Sequence, residues 1–213
     1  KWLTGTKFRL FEHALFVGKK VRNSTGIAYG SIGYSQGSIN LIKRSLGNLT
    51  KLPGTIVGVN KLTSSLIHIL QKENAGPVFL VNRSIAHGKY LASKYDIDFI
   101  PMSELKVAIA KSKFLISCTS SENPLIHKED ICGNIALLLD LGVPANIDPS
   151  IGKLASTKLM TIDDLEGSIQ QNISIRKSEI SKAEEIVNAQ VSRFMQRQEY
   201  SRSLKNRLVE VNN

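Results

Sequence analysis

Three short stretches carry residues able to hold a phosphate-bearing ligand, and each follows an apolar run. The first is Gly58-Val59-Asn60-Lys61-Leu62-Thr63, where Thr55-Ile56-Val57 meets a glycine and an amphipathic stretch begins. In a strand–turn–helix of this kind the first glycine permits the tight turn, and a second lets backbone amides approach a pyrophosphate. The helix N-terminus then favours the negative charge. Gly58 supplies only the first of these. Asn60 takes space where phosphate would approach, but it adopts left-handed backbone angles better than most non-glycine residues. Lys61 offsets the lost space with a positive charge.

The second stretch is Asn82-Arg83-Ser84, with Arg83 25 residues beyond Gly58. An acidic residue there would bind the ribose 2′-hydroxyl of NAD, whereas an arginine offers its planar fork to the 2′-phosphate of NADP. Asn82 and Ser84 add hydrogen bonds at the adenosine end. The third stretch, Thr119-Ser120-Ser121, follows "FLISC" and provides small hydroxyl residues for the nicotinamide-ribose half. Gly142 and Val143 of "LLLDLGVP" reach the same rim. Together these residues predict an NADPH site with a modified loop of reduced affinity.

No other chemistry competes with this reading. Cys118 and Cys132 have neither metal spacing nor a disulfide framework, and Cys118 reads as a small buried residue. His13, His68, His87 and His127 form no ligand spacing, and no residue is assigned a catalytic role.

The elements that must position these stretches follow from the apolar pattern. A helix is expected over "FRLFEHALFVGKKVRN", a glycine- and serine-rich break over "STGIAYGSIGYSQG", and a second helix from about Ser38 to Gly47. Strands "TIVGV", "PVFLVNRS", "DFIPMSEL", "KFLISCTSS" and "IALLLDLGVP" then alternate with helices such as "KLTSSLIHILQKEN" and "HGKYLASKYD". Nearly continuous apolar runs such as Ile135–Leu139 imply strands buried on both faces, hence a parallel, doubly wound, Rossmann-like α/β sheet. From Asp163 the pattern changes. Leu165, Ile169, Ile173, Ile180, Ala183, Val187, Val191 and Phe194 predict one long helix of 30 to 45 residues with an apolar seam. Asp163, Asp164 and Glu166 complement its dipole. A small sheet domain cannot bury that seam, so a homodimer through the helix is expected.

Net charge is +10, and +7 of it falls in residues 1–50, where eight basic residues face only Glu12. A basic leading segment suits a polyanion such as RNA as well as a solvated face. No apolar run approaches the ~20 residues needed to span a bilayer. With no signal-peptide pattern and two unpaired cysteines, the expectation is a cytoplasmic chain without membrane association.

In order along the chain, "FEHALFVGKKVRNSTGI", "NLIKRSLGNL", "NRSIAHGKYLA", "ISCTSSENPLI", "LLLDLGVPANIDPSIGKL" and "IDDLEGSIQQNISIRKSEISKAEEIV" resemble glutamyl-tRNA reductase from Phe11 to about Phe194. The resemblance implies NADPH-dependent reduction of glutamyl-tRNA to glutamate-1-semialdehyde for tetrapyrrole biosynthesis. It divides the chain into 1–27, the helical end of a catalytic domain; 28–160, the NADPH-binding domain; and 161–213, a spinal helix leading to dimerisation. It further implies a nucleophilic cysteine upstream of Lys1, so that this chain is inactive alone, with glutamyl-tRNA and a downstream aminomutase as partners. Three departures from the family pattern stand out: Gly58-Val59-Asn60-Lys61 replaces Gly-Ala-Gly-Glu, Thr63 replaces a glycine, and Ala145 replaces an arginine. These departures motivate an alternative, a degenerate member that regulates or scaffolds without redox chemistry. A small dehydrogenase of shikimate-dehydrogenase type shares the Asn-Arg-Ser strand end but leaves the tail unexplained.

Overall fold

The computed structural model describes residues 5–28, 30 and 33–211. Lys1 of the basic segment, and Tyr29, Ser31 and Ile32 of the glycine- and serine-rich break, lie outside the described residues. The chain divides into two compact units, Ser31–Gln170 and Lys1–Gly30 with Gln171–Asn213.

The first of these units is built on six parallel strands. They are β1 (Gly54–Val57), β2 (Val78–Asn82), β3 (Asp98–Pro101), β4 (Phe114–Ser117), β5 (Leu137–Asp140) and β6 (Lys158–Thr161). Their order is β3-β2-β1-β4-β5-β6. The winding therefore reverses between β1 and β4, the switch point at which ligands of open α/β sheets sit. Register sets the faces: Ile56 is level with Leu80 and Ile116, and Ile116 with Leu139, so these side chains share one face. The other face buries Val57, Phe79, Val81, Leu115 and Leu138 in one cluster with Leu105, Ala108 and Ile109. All four residues of β1, β4 and β5 are buried, which is why these runs lack the alternation of a half-exposed strand. Polar exceptions are satisfied: the buried Thr55 hydroxyl pairs with Ser112 Oγ at 2.8 Å.

Helices α2 (Tyr34–Leu46), α3 (Lys61–Lys72), α4 (Ile85–Tyr95) and α5 (Leu105–Lys111) flank the sheet. In α3 the buried residues Thr63, Leu66, Ile67 and Leu70 keep the 0, 3, 4, 7 spacing of a single helical face. Helix α2 starts four residues before the expected Ser38. Gly37 reads as a breaker, but it is buried inside the helix. A Cβ at Gly37 would press on Leu165, so this glycine serves close helix packing. Strand β6 escaped the sequence reading because it has only four residues, with Met160 alone buried.

The expected long tail helix is present and bends at Glu179, which divides it into α6 (Ile162–Ser178) and α7 (Ile180–Val211). Neither Gly nor Pro marks the break. At that point the Glu179 amide donates to Arg176 O at 3.2 Å, one residue short of α-helical pairing. The Glu179 carboxylate accepts the Gly26 amide at 2.8 Å, which holds its carboxyl below the ordinary glutamate value. At the start of α6, Asp164 Oδ2 accepts the Thr161 amide at 2.8 Å.

In the second unit α7 packs on α1 (Thr6–Ser24). The His13 ring stacks on Phe194 at 5.2 Å and Phe16 at 6.0 Å, and Ala183 and Gln190 are buried. Val187, Val191 and Met195 on α7 remain exposed, as do Phe8, Phe11, Leu15 and Phe16 on α1. No helix among the described residues is long and apolar enough to cross a membrane.

Candidate functional site

The ends of β1, β2, β3 and β4 converge on one cleft of about 200 Å³ at the switch point. Gly58, Val59 and Asn60 line it from the loop after β1, Asn82 and Arg83 from the tip of β2, Met102 from the end of β3, and Cys118, Thr119 and Ser120 from beyond β4. Three stretches separated by about 20 to 35 residues in sequence are thus adjacent, because parallel pairing puts every strand's C-terminal end on the same edge.

The β1 loop is shaped by Gly58. Its φ of 105° belongs to backbone that L side chains avoid. A Cβ there would also lie 2.8 Å from both Cys118 O and Thr119 Cγ2. Asn60, expected to supply left-handed backbone, is extended instead, with φ −151° and ψ −171°. Its side chain caps α3: Oδ1 accepts the Leu62 and Thr63 amides at 2.8 and 3.1 Å. Nδ2 donates to Cys118 O at 2.6 Å. Thr63 is fully buried, where its hydroxyl donates to Gly58 O at 2.9 Å and accepts the Asn60 amide at 3.1 Å. Two of the amides that a helix N-terminus offers an anion are therefore taken by the protein itself.

Arg83 is exposed and, among the described residues, has no hydrogen-bond or ion-pair partner. The amides of Val59 and Ser120 likewise have none. Asn82 Nδ2 donates to Ser84 O at 3.0 Å, and Ser84 Oγ caps α4 by accepting the His87 amide at 3.4 Å. Both residues fix the turn that presents Arg83.

Other sequence-predicted residues lie away from the cleft. Leu62 and Lys61 belong to the first turn of α3 without lining it, and Ser121 is buried, its amide on Thr119 Oγ1. Gly142 and Val143 line a separate cavity of about 270 Å³ with Asp140, Pro144, Ala145 and Thr161. Cys118 is 3% exposed, and burial pushes its thiol up to about 11 against the pull of hydrogen bonds from Thr63 and Asn60. This thiol is packed, not reactive.

Sequence reasoning missed Asp140, Asn146 and Met102. Asp140 ends β5 at 3% exposure, and its carboxylate accepts the amides of Gly142 (2.9 Å), Asn146 (2.7 Å) and Ile147 (2.8 Å). Burial raises its pKa above the ordinary aspartate value, while the three amides pull it back. Fully buried Asn146 in turn accepts the Thr119 amide at 2.9 Å and Ser117 Oγ at 3.2 Å through Oδ1. A chain of bonds thus runs from β5 to the hydroxyl-rich loop after β4 and fixes it. The available signals were a lone aspartate closing an apolar strand and, for Met102, its place just past Pro101, which pairs in register with Asn82.

Six parallel strands in this order, with donor-rich loops at the reversal point, define a nucleotide-binding α/β domain of dehydrogenase type. The Shikimate / quinate 5-dehydrogenase family matches residues 40–168, and the chain belongs to it. Beyond that domain it is similar to a glutamyl-tRNA reductase from Synechococcus sp., with 31% identity over 195 residues, 88% of this chain and 45% of that protein. Among solved structures, the glutamyl-tRNA reductase from Methanopyrus kandleri matches with a TM-score of 0.84 at 24% identity, over 92% of this chain and 51% of that one. The nucleotide-binding domain of the enzyme from Thermoplasma volcanium matches at 0.57 and 20% identity, over 70% and 99%. The chain spans about half the length of the curated relatives it matches. An alignment of 195 residues takes in most of the tail helices, of which the family match, ending at residue 168, reaches only the start of α6.

Proposed function

We propose that this chain is the NADPH-binding part of a glutamyl-tRNA reductase, acting in reduction of glutamyl-tRNA to glutamate-1-semialdehyde. The observation that carries the cofactor assignment is Arg83, a guanidinium without a protein partner at the tip of β2 and on the wall of the switch-point cleft. A free arginine there suits the 2′-phosphate, whereas NAD would call for an acidic residue. Bound in this crevice, the nicotinamide would supply a hydride. The chain's own residues bind and orient it: Arg83 at the adenosine end, the Val59 and Ser120 amides toward the phosphates, and the Thr119–Ser121 loop near the nicotinamide ribose. On this reading residues 28–160 form the cofactor domain, 1–27 close a preceding catalytic domain, and 161–213 lead to a dimerisation region. The exposed Val187, Val191 and Met195 support a second copy as the partner that covers the tail. The cytoplasm and the aminomutase partner belong to the same proposal.

Titration of NADPH and NADH fluorescence with the chain and with Arg83→Ala tests it. Loss of charge-assisted hydrogen bonds weakens NADPH roughly tenfold to a hundredfold and leaves NADH within about a factor of two. Equal losses for both cofactors would refute the 2′-phosphate contact.

A further inference from the structure

The hydrogen bonds of one side chain join the two loops that flank the crevice. Asn60 Oδ1 accepts from Leu62 and Thr63 at the start of α3, and its Nδ2 donates to the Cys118 carbonyl beyond β4. The carboxamide thus places an oxygen on the amides that would otherwise receive a phosphate oxygen, and it spans the crevice from β1 to β4. The cleft beside it holds about 200 Å³, less than the roughly 300 Å³ at which small-molecule sites begin. Donors for a larger anion are nevertheless in place, since Arg83 and the Val59 and Ser120 amides have no partners among the described residues. The extended backbone of Asn60 requires neither asparagine nor glycine at this position. Only these side-chain bonds hold the bridge closed.

We propose that Asn60 is a built-in stand-in for the pyrophosphate of the cofactor, a latch that must leave the Leu62 and Thr63 amides before the dinucleotide can seat. Resting on the NADPH reading above, it makes Asn60 the residue that sets cofactor affinity. Glycine removes the competitor at little cost to the helix, because Gly is tolerated at an N-cap. Aspartate keeps the cap but adds a negative charge that repels phosphate and turns a carboxylate oxygen toward the Cys118 carbonyl.

The test is NADPH titration of the 213-residue chain and three variants, with circular dichroism to establish folding. Asn60→Gly tightens binding about tenfold or more, since the three side-chain hydrogen bonds to Leu62, Thr63 and Cys118 no longer have to be broken. Asn60→Ser, which caps the helix but is too short to reach Cys118, tightens it about threefold; it carries the test if the glycine variant does not fold. Asn60→Asp weakens binding about tenfold or more. In NMR spectra of the unsubstituted chain, the Leu62 and Thr63 amide resonances move on NADPH addition. If the chain binds NADPH and Arg83→Ala weakens it, yet Asn60→Gly or Asn60→Ser binds no more tightly, the latch is refuted and the cofactor reading stands. If neither the chain nor Asn60→Gly binds NADPH, both are overturned.

Discussion

Replacing Asp140 tests whether a buried carboxylate organises the rim of the crevice. Three amides, those of Gly142, Asn146 and Ile147, converge on it within 2.7–2.9 Å. In Asp140→Leu, a side chain of similar reach and no acceptor leaves all three buried and excludes the water that could rescue them. Each stranded N–H costs about 1–3 kcal/mol. Release of the buried charge returns part of this, so the net loss is about 3–6 kcal/mol. Asp140→Asn is milder: its oxygen can still serve Asn146 and Ile147, while its NH2 faces the Gly142 amide, donor against donor, for a loss of about 1–3 kcal/mol. Because a chain of two units need not unfold in one step, the amides themselves are the better probe. Native-state hydrogen exchange at Gly142, Asn146, Ile147 and Thr119, alongside urea unfolding, reads the effect locally. Faster exchange should reach Thr119, which touches Asp140 only through Asn146. The pH dependence has a fixed sign. Burial raises the folded pKa of Asp140, so folding takes up a proton between the unfolded and folded values. The group's contribution to stability falls as pH rises through that interval, and Asp140→Asn removes this slope. A stability change under about 1 kcal/mol in Asp140→Leu, with Thr119 exchange unaltered, would refute the account.

Two further outcomes follow from the β1 loop. Gly58→Ala places a Cβ at φ 105° and 2.8 Å from the Cys118 carbonyl; a loss of about 2–4 kcal/mol in urea unfolding and no measurable NADPH binding are expected. Iodoacetamide at pH 8, followed by peptide mass spectrometry, should label the partly exposed Cys132 and spare Cys118 until urea unfolds the chain, since the Cys118 thiol is buried and titrates at about 11.

The parallel sheet was legible because a strand buried on both faces cannot alternate, and Ile135–Leu139 has no polar residue. Arg83 was legible because its distance from Gly58 follows from one helix and one strand. Other features depended on contacts that sequence order hides. Gly37 looks like a break until Leu165, more than a hundred residues away, is seen to need the space. The backbone preference of Asn60 does not reveal that its carboxamide is long enough to reach the Cys118 carbonyl. The tail break at Glu179 has no local breaker, since a bond to the Gly26 amide accompanies it. Gly142 and Val143 were assigned to the cofactor rim because they follow a strand end. The sheet puts them beyond β5, one strand past the reversal point, where they line a cavity with Asp140.

The two outermost strands carry a consequence for the protein in crowded solution. An open sheet exposes unpaired peptide groups along β3 and β6, which a neighbouring molecule could extend into a ribbon. Both are only four residues long, and each begins with an exposed charge, Asp98 on one and Lys158 on the other. At its far end β3 has Pro101, whose nitrogen bears no hydrogen to donate. Short, charged and proline-ended margins of this kind discourage strand-by-strand stacking, so contact between copies is steered away from fibrous growth.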